Sequence, residues 1–222
     1  MINLLWAILR RLLVLAALAA VLLVLLFRFV DPPTNFYMMS ERLRLGAVER
    51  RWVPLAEMSA WLPLSAAAAE DANFCAHSGF DLDGIRDALA DGGRLRGAST
   101  ISQQVAKNVF LWPSRSWLRK GFEAGFTVLI ELTWPKRRIM EVYLNIAEFG
   151  EGIFGVEAAS RHYFDTGAAR MTPRASARLM AVLPDPKNRS PVSGTGYIRS
   201  RGRAIEHGAQ TLRVDGRAAC FL

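Results

Sequence analysis

The sequence predicts a mostly α protein, with one membrane-spanning helix ahead of one helical domain. Three observations carry this. Leu12 to Phe27 is an unbroken run of Leu, Val, Ala and Phe without a charge. Farther along, apolar residues recur at helical spacing, as at Ile139, Val142, Tyr143 and Ile146. Alternation of apolar and polar residues, the signature of a half-buried strand, is scarce.

Composition narrows the class further. A chain of 222 residues fits one ordinary domain and not two large ones. At 51% hydrophobic it is too apolar to be disordered, and two cysteines are too few for a disulfide scaffold. The formal charge of +8 and the pI near 10.2 raise the question of nucleic acid. Three of the 28 basic residues, Arg10, Arg11 and Arg28, flank the apolar run, which leaves 25 against 20 acids outside it. That bias is modest and gives weak support to nucleic-acid binding. Only four basic residues are lysines: Lys107, Lys120, Lys136 and Lys187.

The first element is the anchor. A span needs roughly 20 apolar residues, and the charge-free stretch falls a little short. Leu4 to Leu9 and Phe29 to Val30 extend it, with Arg28 able to snorkel to the headgroups. Residues 12–30 are assigned to the membrane. Arg10 and Arg11 keep residues 1–11 in the cytoplasm and send the rest across. A cleaved signal peptide is the alternative, but a cut at Ala17-Leu18-Ala19 would leave Val21 to Phe27 apolar behind it.

Residues 31–64 read as a connector, since Asp31-Pro32-Pro33 stops the membrane helix and Pro54 and Pro63 interrupt the segment after it. Arg50-Arg51-Trp52 suits either the outer membrane interface or an ordinary exposed surface. Residues 65–222 form the helical domain. Leu64 to Ala69 is alanine-rich and favours helix. Gly84 to Ala90 offers a short helix stopped by Gly92-Gly93. Thr100-Ile-Ser-Gln103 has capping-box spacing and opens a helix carrying Gln104, Lys107 and Asn108. Lys120 to Thr133 is long and apolar, so most of it is expected to be buried. Pro135 breaks it, and a further helix starts at Lys136. Thr172-Pro173 is an N-cap with proline at the first helical position, and Pro184 ends that helix. Tyr197 to Arg213 is a polar, arginine-rich terminal helix. Cys75 and Cys220 could pair if exported, and unpaired buried thiols fit the sequence equally well.

Three segments have ionisable groups in unusual settings. Glu70-Asp71 ends an apolar helix, where a carboxylate can act as acid or base, although helix ends more often carry a cap or a solvated charge. Glu123 is four residues from Arg119, an ordinary ion-pair spacing, yet it enters an apolar helix where a carboxylate needs partners or a function. Gly97-Ala98-Ser99-Thr100-Ile101-Ser102-Gln103-Gln104 with Lys107-Asn108 joins a turn, a helix N-terminus, two amides and a cation. Backbone donors there attract anions, but the spacing is not that of a P-loop, and a polar capped helix accounts for it equally.

Together these segments resemble the peptidoglycan glycosyltransferases, in five blocks in family order across about residues 65–185. The first is Glu70-Asp71-Ala-Asn-Phe74-Cys-Ala-His77-Ser-Gly79-Phe-Asp81. The second is the Gly97 to Gln104 segment with Lys107-Asn108. The third is Arg119-Lys120 with Glu123. The fourth is Lys136 to Asn145, and the fifth is Gly152, Gly155-Val156, Ala158-Ala159 and Tyr163-Phe164. One departure stands out: Phe122 occupies a position that is basic in many relatives, which removes one phosphate contact. No serine stands three residues before any lysine and Lys-Thr-Gly is absent, so the resemblance is to the monofunctional branch without a transpeptidase.

The resemblance implies a lysozyme-like α domain with a small membrane-associated jaw, and polymerisation of lipid II in the bacterial inner membrane. Glu70 and Glu123 are the implied catalytic carboxylates, Glu70 as the base for an acceptor sugar hydroxyl. Ser99, Thr100, Gln103, Gln104, Lys107, Asn108, Arg119 and Lys120 are the implied substrate-binding residues, with the three cations at the departing pyrophosphate. No cofactor is obligatory, and a divalent cation, Mg or Mn, is optional there. Lipid II, the lipid-linked glycan chain, the bilayer and proteins of cell-wall synthesis or division are the implied partners, and nucleic acid is not among them. The apolar segment Val109 to Leu118 is either core or the membrane-dipping jaw. His77 is read as a loop-holding residue and not as a catalyst. A glycan hydrolase and a membrane-anchored scaffold are the competing functions. A hydrolase needs an acid for its leaving oxygen, whereas Lys107, Arg119 and Lys120 suit a pyrophosphate leaving group.

Overall fold

The computed structural model describes residues 2–82, 86, 99–114 and 116–222. The helix expected at residues 84–90, its Gly92-Gly93 stop, Gly97-Ala98 of the second block and Arg115 lie outside the described residues. Helix α1, Ile2–Phe27, begins well before Leu12 and is long and apolar enough to cross a membrane. At 1.5 Å per residue its 26 residues span about 39 Å, more than the hydrocarbon core of about 30 Å.

The stretch read as a connector holds a helix of its own. Asn35 accepts from the Met38 backbone N–H at 2.8 Å and starts α2, Phe36–Leu45, which ends at Gly46 with a positive φ of 83°. Helix α3 is Trp61–Glu70. Pro63 does not interrupt it, because it sits in the first turn, where no intrahelical N–H bond is lost. Leu62, Leu64, Ser65, Ala66 and Ala67 of α3 are buried, and small side chains let its neighbours approach closely.

Thr100 caps α4, Ile101–Phe110, with both halves of the expected capping box formed. Ser116 caps α5, Trp117–Thr133. Pro135 separates α5 from α6, Lys136–Ile146, whose Ile139, Val142, Tyr143 and Ile146 are buried as their spacing requires. Helix α7, Val156–Phe164, comes after Gly155, where φ is 80° and a Cβ would come within 2.9 Å of the Asn145 carbonyl oxygen. Thr172 caps α8, Pro173–Met180, and Thr195 caps α9, Gly196–Val214. A small sheet orders β1 (Glu49–Arg50), β3 (Ile153–Phe154) and β2 (Glu148–Gly150), with β3 central, parallel to β1 and antiparallel to β2.

The core forms where α9 packs on α8 and α3, and α4 packs on α5 and α6. Asn145, buried in α6, exchanges both amide–backbone bonds with Val53 at 2.9 Å, and Glu141 accepts from the Leu55 N–H at 2.7 Å. Two polar residues of the fourth block therefore hold the 53–55 segment. Cys75 and Cys220 form a disulfide with Cα atoms 5.7 Å apart, resolving what the sequence left open.

The expectation that most of α5 is buried is corrected. Only Glu123, Thr127 and Ile130 are buried. Trp117 is 92% exposed and Leu132 78%, and Leu118, Phe122 and Val128 are exposed with them. One face of α5 meets the core while the other presents apolar side chains outward. The Val109 to Leu118 segment divides likewise: Val109, Phe110 and Leu111 are core, while Trp112, Trp117 and Leu118 are outside. Phe122, in place of a basic residue, meets Trp112 edge to face at 6.1 Å between ring centroids.

The anchor is fastened to the domain. Trp134 Nε1 donates to the Val24 carbonyl at 2.8 Å, and Arg138 donates to the carbonyls of Phe27 and Val30 while pairing with Asp31 at 2.8 Å. The Phe110 ring stacks on Phe126 at 4.7 Å and lies 6.0 Å from Phe27. Arg50 donates to the Pro32 and Pro33 carbonyls at 2.7 Å, so it braces the chain leaving the membrane.

Candidate active site

Glu70 is the last residue of α3 and is half-buried. Gln104 of α4 donates through Nε2 to Glu70 Oε2 at 3.0 Å, and the same amide reaches the Ser99 carbonyl at 3.5 Å. Asp71 next to it is the joint between two blocks. Its Oδ2 accepts from the Ile101 N–H at 2.9 Å, an unpaired donor at the N-terminus of α4, and Oδ1 lies 2.8 Å from His77 Nε2. The Gly79 N–H donates to His77 Nδ1 at 3.1 Å, so Nε2 carries the hydrogen that goes to Asp71.

His77 is thus a brace for the loop, in agreement with the sequence. Lys136 adds a second brace, donating to the His77 carbonyl at 2.7 Å and pairing with Glu131 at 2.8 Å, with its ammonium 4.4 Å from the Phe74 ring centre. Thr100 Oγ1 donates to the Gly79 carbonyl at 2.7 Å, while its N–H donates to Gln103 Oε1 at 3.0 Å. Thr100 and Gln103 are both buried; Thr100 holds α4 to the loop, and Gln103 completes the cap with Thr100.

Glu123 is 2% exposed. Its Oε2 accepts from Arg119 Nη1 at 2.8 Å and its Oε1 pairs with Lys120. The i,i+4 pair expected from the sequence exists, and it is one half of a three-charge cluster. A buried carboxylate held by two cations keeps both in place. Among the described residues the buried Arg119 Nε has no partner, so one of its donors is left over.

Two of these residues, Gln104 and Arg119, border an open cavity of about 630 Å³. Gln104, Lys107, Asn108 and Arg119 line it, and Tyr143 of α6 and Glu148 of β2 face them. Lys107 forms no ion pair among the described residues. Burial pushes its ammonium below the usual lysine range, and the negative charge of Glu123 offsets only part of that. A cation half-desolvated without a counterion is poised for an anion. Ser99 is exposed, and its carbonyl is its link to Gln104. The structure therefore brings Gln104, Lys107, Asn108 and Arg119 to one wall, ties Glu70 to it through Gln104, and pairs Glu123 with both Arg119 and Lys120.

Sequence reasoning missed the opposite wall. Tyr37 donates to Glu148 Oε2 at 2.6 Å, and burial first, then this bond, pushes the Tyr37 phenol up to about 12. Burial also raises Glu148. Asn35 and Tyr37 line the same cavity although they come from the stretch read as a connector. The available signal was the Asn35 cap, which marks a helix inside that stretch.

Among the described residues no three carboxylate, histidine or thiol groups gather to hold a metal ion. Both oxygens of Glu123 are engaged by cations, so these residues do not fit a resident divalent ion.

A cavity wall of Gln104, Lys107, Asn108 and Arg119, in a helical domain behind one helix long and apolar enough to cross a membrane, is the candidate site of an enzyme. The chain belongs to the transglycosylase family, whose model matches residues 38–210. That match starts inside the stretch read as a connector. Among its relatives, the biosynthetic peptidoglycan transglycosylase of Rhodospirillum centenum is 53% identical over 216 residues, covering 94% of this chain and 93% of the relative. The protein of the same description from Jannaschia sp. is 52% identical, covering 88% and 81%. That from Caulobacter vibrioides is 46% identical, covering 90% and 89%.

Proposed function

We propose that this protein polymerises lipid II into linear β-1,4 glycan strands of peptidoglycan. The observation that carries the reading is the cavity wall itself: Lys107 without a counterion and Arg119 with a spare donor, beside a carboxylate, Glu70, held by Gln104. The family match and the names of the relatives support the substrate class.

In this mechanism Glu70 takes the proton of the acceptor GlcNAc 4-hydroxyl as its oxygen attacks C1 of the donor MurNAc. The bond from C1 to the α-linked pyrophosphate breaks, the anomeric centre inverts, and polyprenyl diphosphate leaves. A positioned base contributes about 10²- to 10⁴-fold. Lys107, Arg119 and Lys120 meet the charge that develops on the pyrophosphate, and Glu123 fixes the last two. Asn108 and Ser99 border the donor, while Thr100 and Gln103 act through the placement of α4. No metal is needed for this charge balance. A Mg or Mn ion would arrive with the phosphates of the substrate.

The reading sets α1 in the bacterial inner membrane as a single span, with the N-terminus cytoplasmic and the domain periplasmic. Arg10 and Arg11 support that direction, and the Cys75–Cys220 bond fits an oxidising compartment. The sequence carries no transpeptidase motif, so the proposed activity is glycan polymerisation alone.

The test is incubation of the full-length protein with lipid II in detergent, with products resolved by size. Wild type is expected to yield polymer and Glu70→Gln none above background. Polymer at normal yield from Glu70→Gln overturns the base assignment. Release of fragments from preformed glycan points to a hydrolase, and lipid II binding without turnover points to a scaffold.

A further inference from the structure

The arginine-rich helix α9 takes no part in the catalytic cavity. Its first half runs beside α8, and the two enclose a groove of about 160 Å³. Arg174 and Arg178 line it from α8 and Arg199 and Arg203 from α9, with Gly202 between them and Glu206 the one acid on the lining. Among the described residues none of the four arginines forms an ion pair.

Four arginines against the single acid Glu206 leave the groove with an excess of positive charge, which an anion would balance. Gly202 lets α9 lie close to the Arg178 stem, because a Cβ there would come within 3.1 Å of Arg178 Cγ. Arg178 Nη2 donates to the Ser193 carbonyl at 2.9 Å, yet its Nε is buried and has no acceptor. A buried N–H without a partner costs free energy that an incoming oxygen recovers. All four positions are arginine and none is lysine, which favours a planar, bidentate partner such as a carboxylate.

Spacing separates a peptide from a lipid. Each helix presents its two arginines four residues apart, which is about 6 Å along the axis. Alternate side chains of an extended peptide repeat at about 6.8 Å on one face. The anchor packs on α5, whereas the groove helices pack on each other and on α3, so the groove is not built against the anchor. We propose that the α8–α9 groove binds an extended acidic segment of a partner protein, with alternate carboxylates bridged by the paired arginines.

The experiment uses the full-length protein in detergent and a fluorescent peptide of alternating Glu and Ser, monitored by anisotropy. Binding is expected, weakening as salt rises. Arg174→Glu combined with Arg203→Glu is expected to weaken it by about tenfold or more, given two exposed pairs lost and reversed. Lipid II polymerisation should be unchanged, since neither residue borders the catalytic cavity. Arg174 and Arg203 are exposed, so the variant is expected to melt as wild type does. Should it fail to fold, Arg174→Lys with Arg203→Lys keeps the charge and is expected to bind with intermediate affinity. Equal binding of the Gln-Ser peptide, or undiminished binding by a folded charge-reversal variant, overturns the proposal. So does binding to phosphatidylglycerol vesicles through these arginines without binding to the peptide.

Discussion

Lys107 is a residue in which burial and chemistry pull against each other. Its ammonium is held below the usual lysine range by desolvation, while the mechanism needs it charged. The fold carries the cost of a buried cation at neutral pH, and that cost is relieved as pH rises through the lowered folded value. The charge proposed to receive the pyrophosphate is lost over the same window. The alkaline limb of kcat/KM is therefore expected below the ordinary lysine range of about 10.4. Lys107→Arg, which keeps its charge, should move that limb upward in a pH–rate profile. An identical limb in the variant would remove Lys107 from the pyrophosphate site. Lys107 and Glu123 stand out in the sequence as candidate site residues because each is unusual in its own local sequence. Glu148 and Tyr37 do not, because they are 111 residues apart and each alone looks ordinary.

Among the helices, several sequence signals with a local cause agree with the structure. The capping box at Thr100, the proline after Thr172 and the break at Pro135 each act within a few residues, and each appears as expected. Burial of α5 is illegible for the complementary reason. Apolar content shows that a helix avoids water, and not whether protein or lipid replaces it. Its Trp117, Leu118, Phe122, Val128 and Leu132 face outward, on the helix that packs against α1. Burying one such side chain is worth about 1.5–3 kcal/mol. Trp117→Ser with Leu132→Ser is thus expected to leave thermal stability nearly unchanged. It should raise KM severalfold for lipid II presented in liposomes, and much less for substrate in detergent. Equal effects in both assays would place the outward face in some other contact.

At the scale of the whole molecule, one covalent bond ties the loop after Glu70 to the far end of the chain. Cys75 and Cys220 are 145 residues apart, so their bond closes most of the domain into a loop. Cys220→Ser is expected to cost about 2–5 kcal/mol of stability, read as a lower midpoint in denaturant. The sequence supplies both cysteines and an apolar N-terminal helix but no distance, and distance decides pairing. The grip of Trp134 and Arg138 on the end of α1 has a wider consequence. A catalytic domain on a slack leash would be indifferent to the lipid around it. Fastened as this one is, any lean of α1 becomes a lean of the cavity. The charge-free part of α1, Leu12 to Phe27, spans about 24 Å, less than the hydrocarbon core of about 30 Å, so membranes of different thickness change how α1 sits. Polymerisation in liposomes should then vary with acyl-chain length. Arg138→Ala should flatten that dependence, so that the anchor acts as a gauge of membrane thickness as well as a tether.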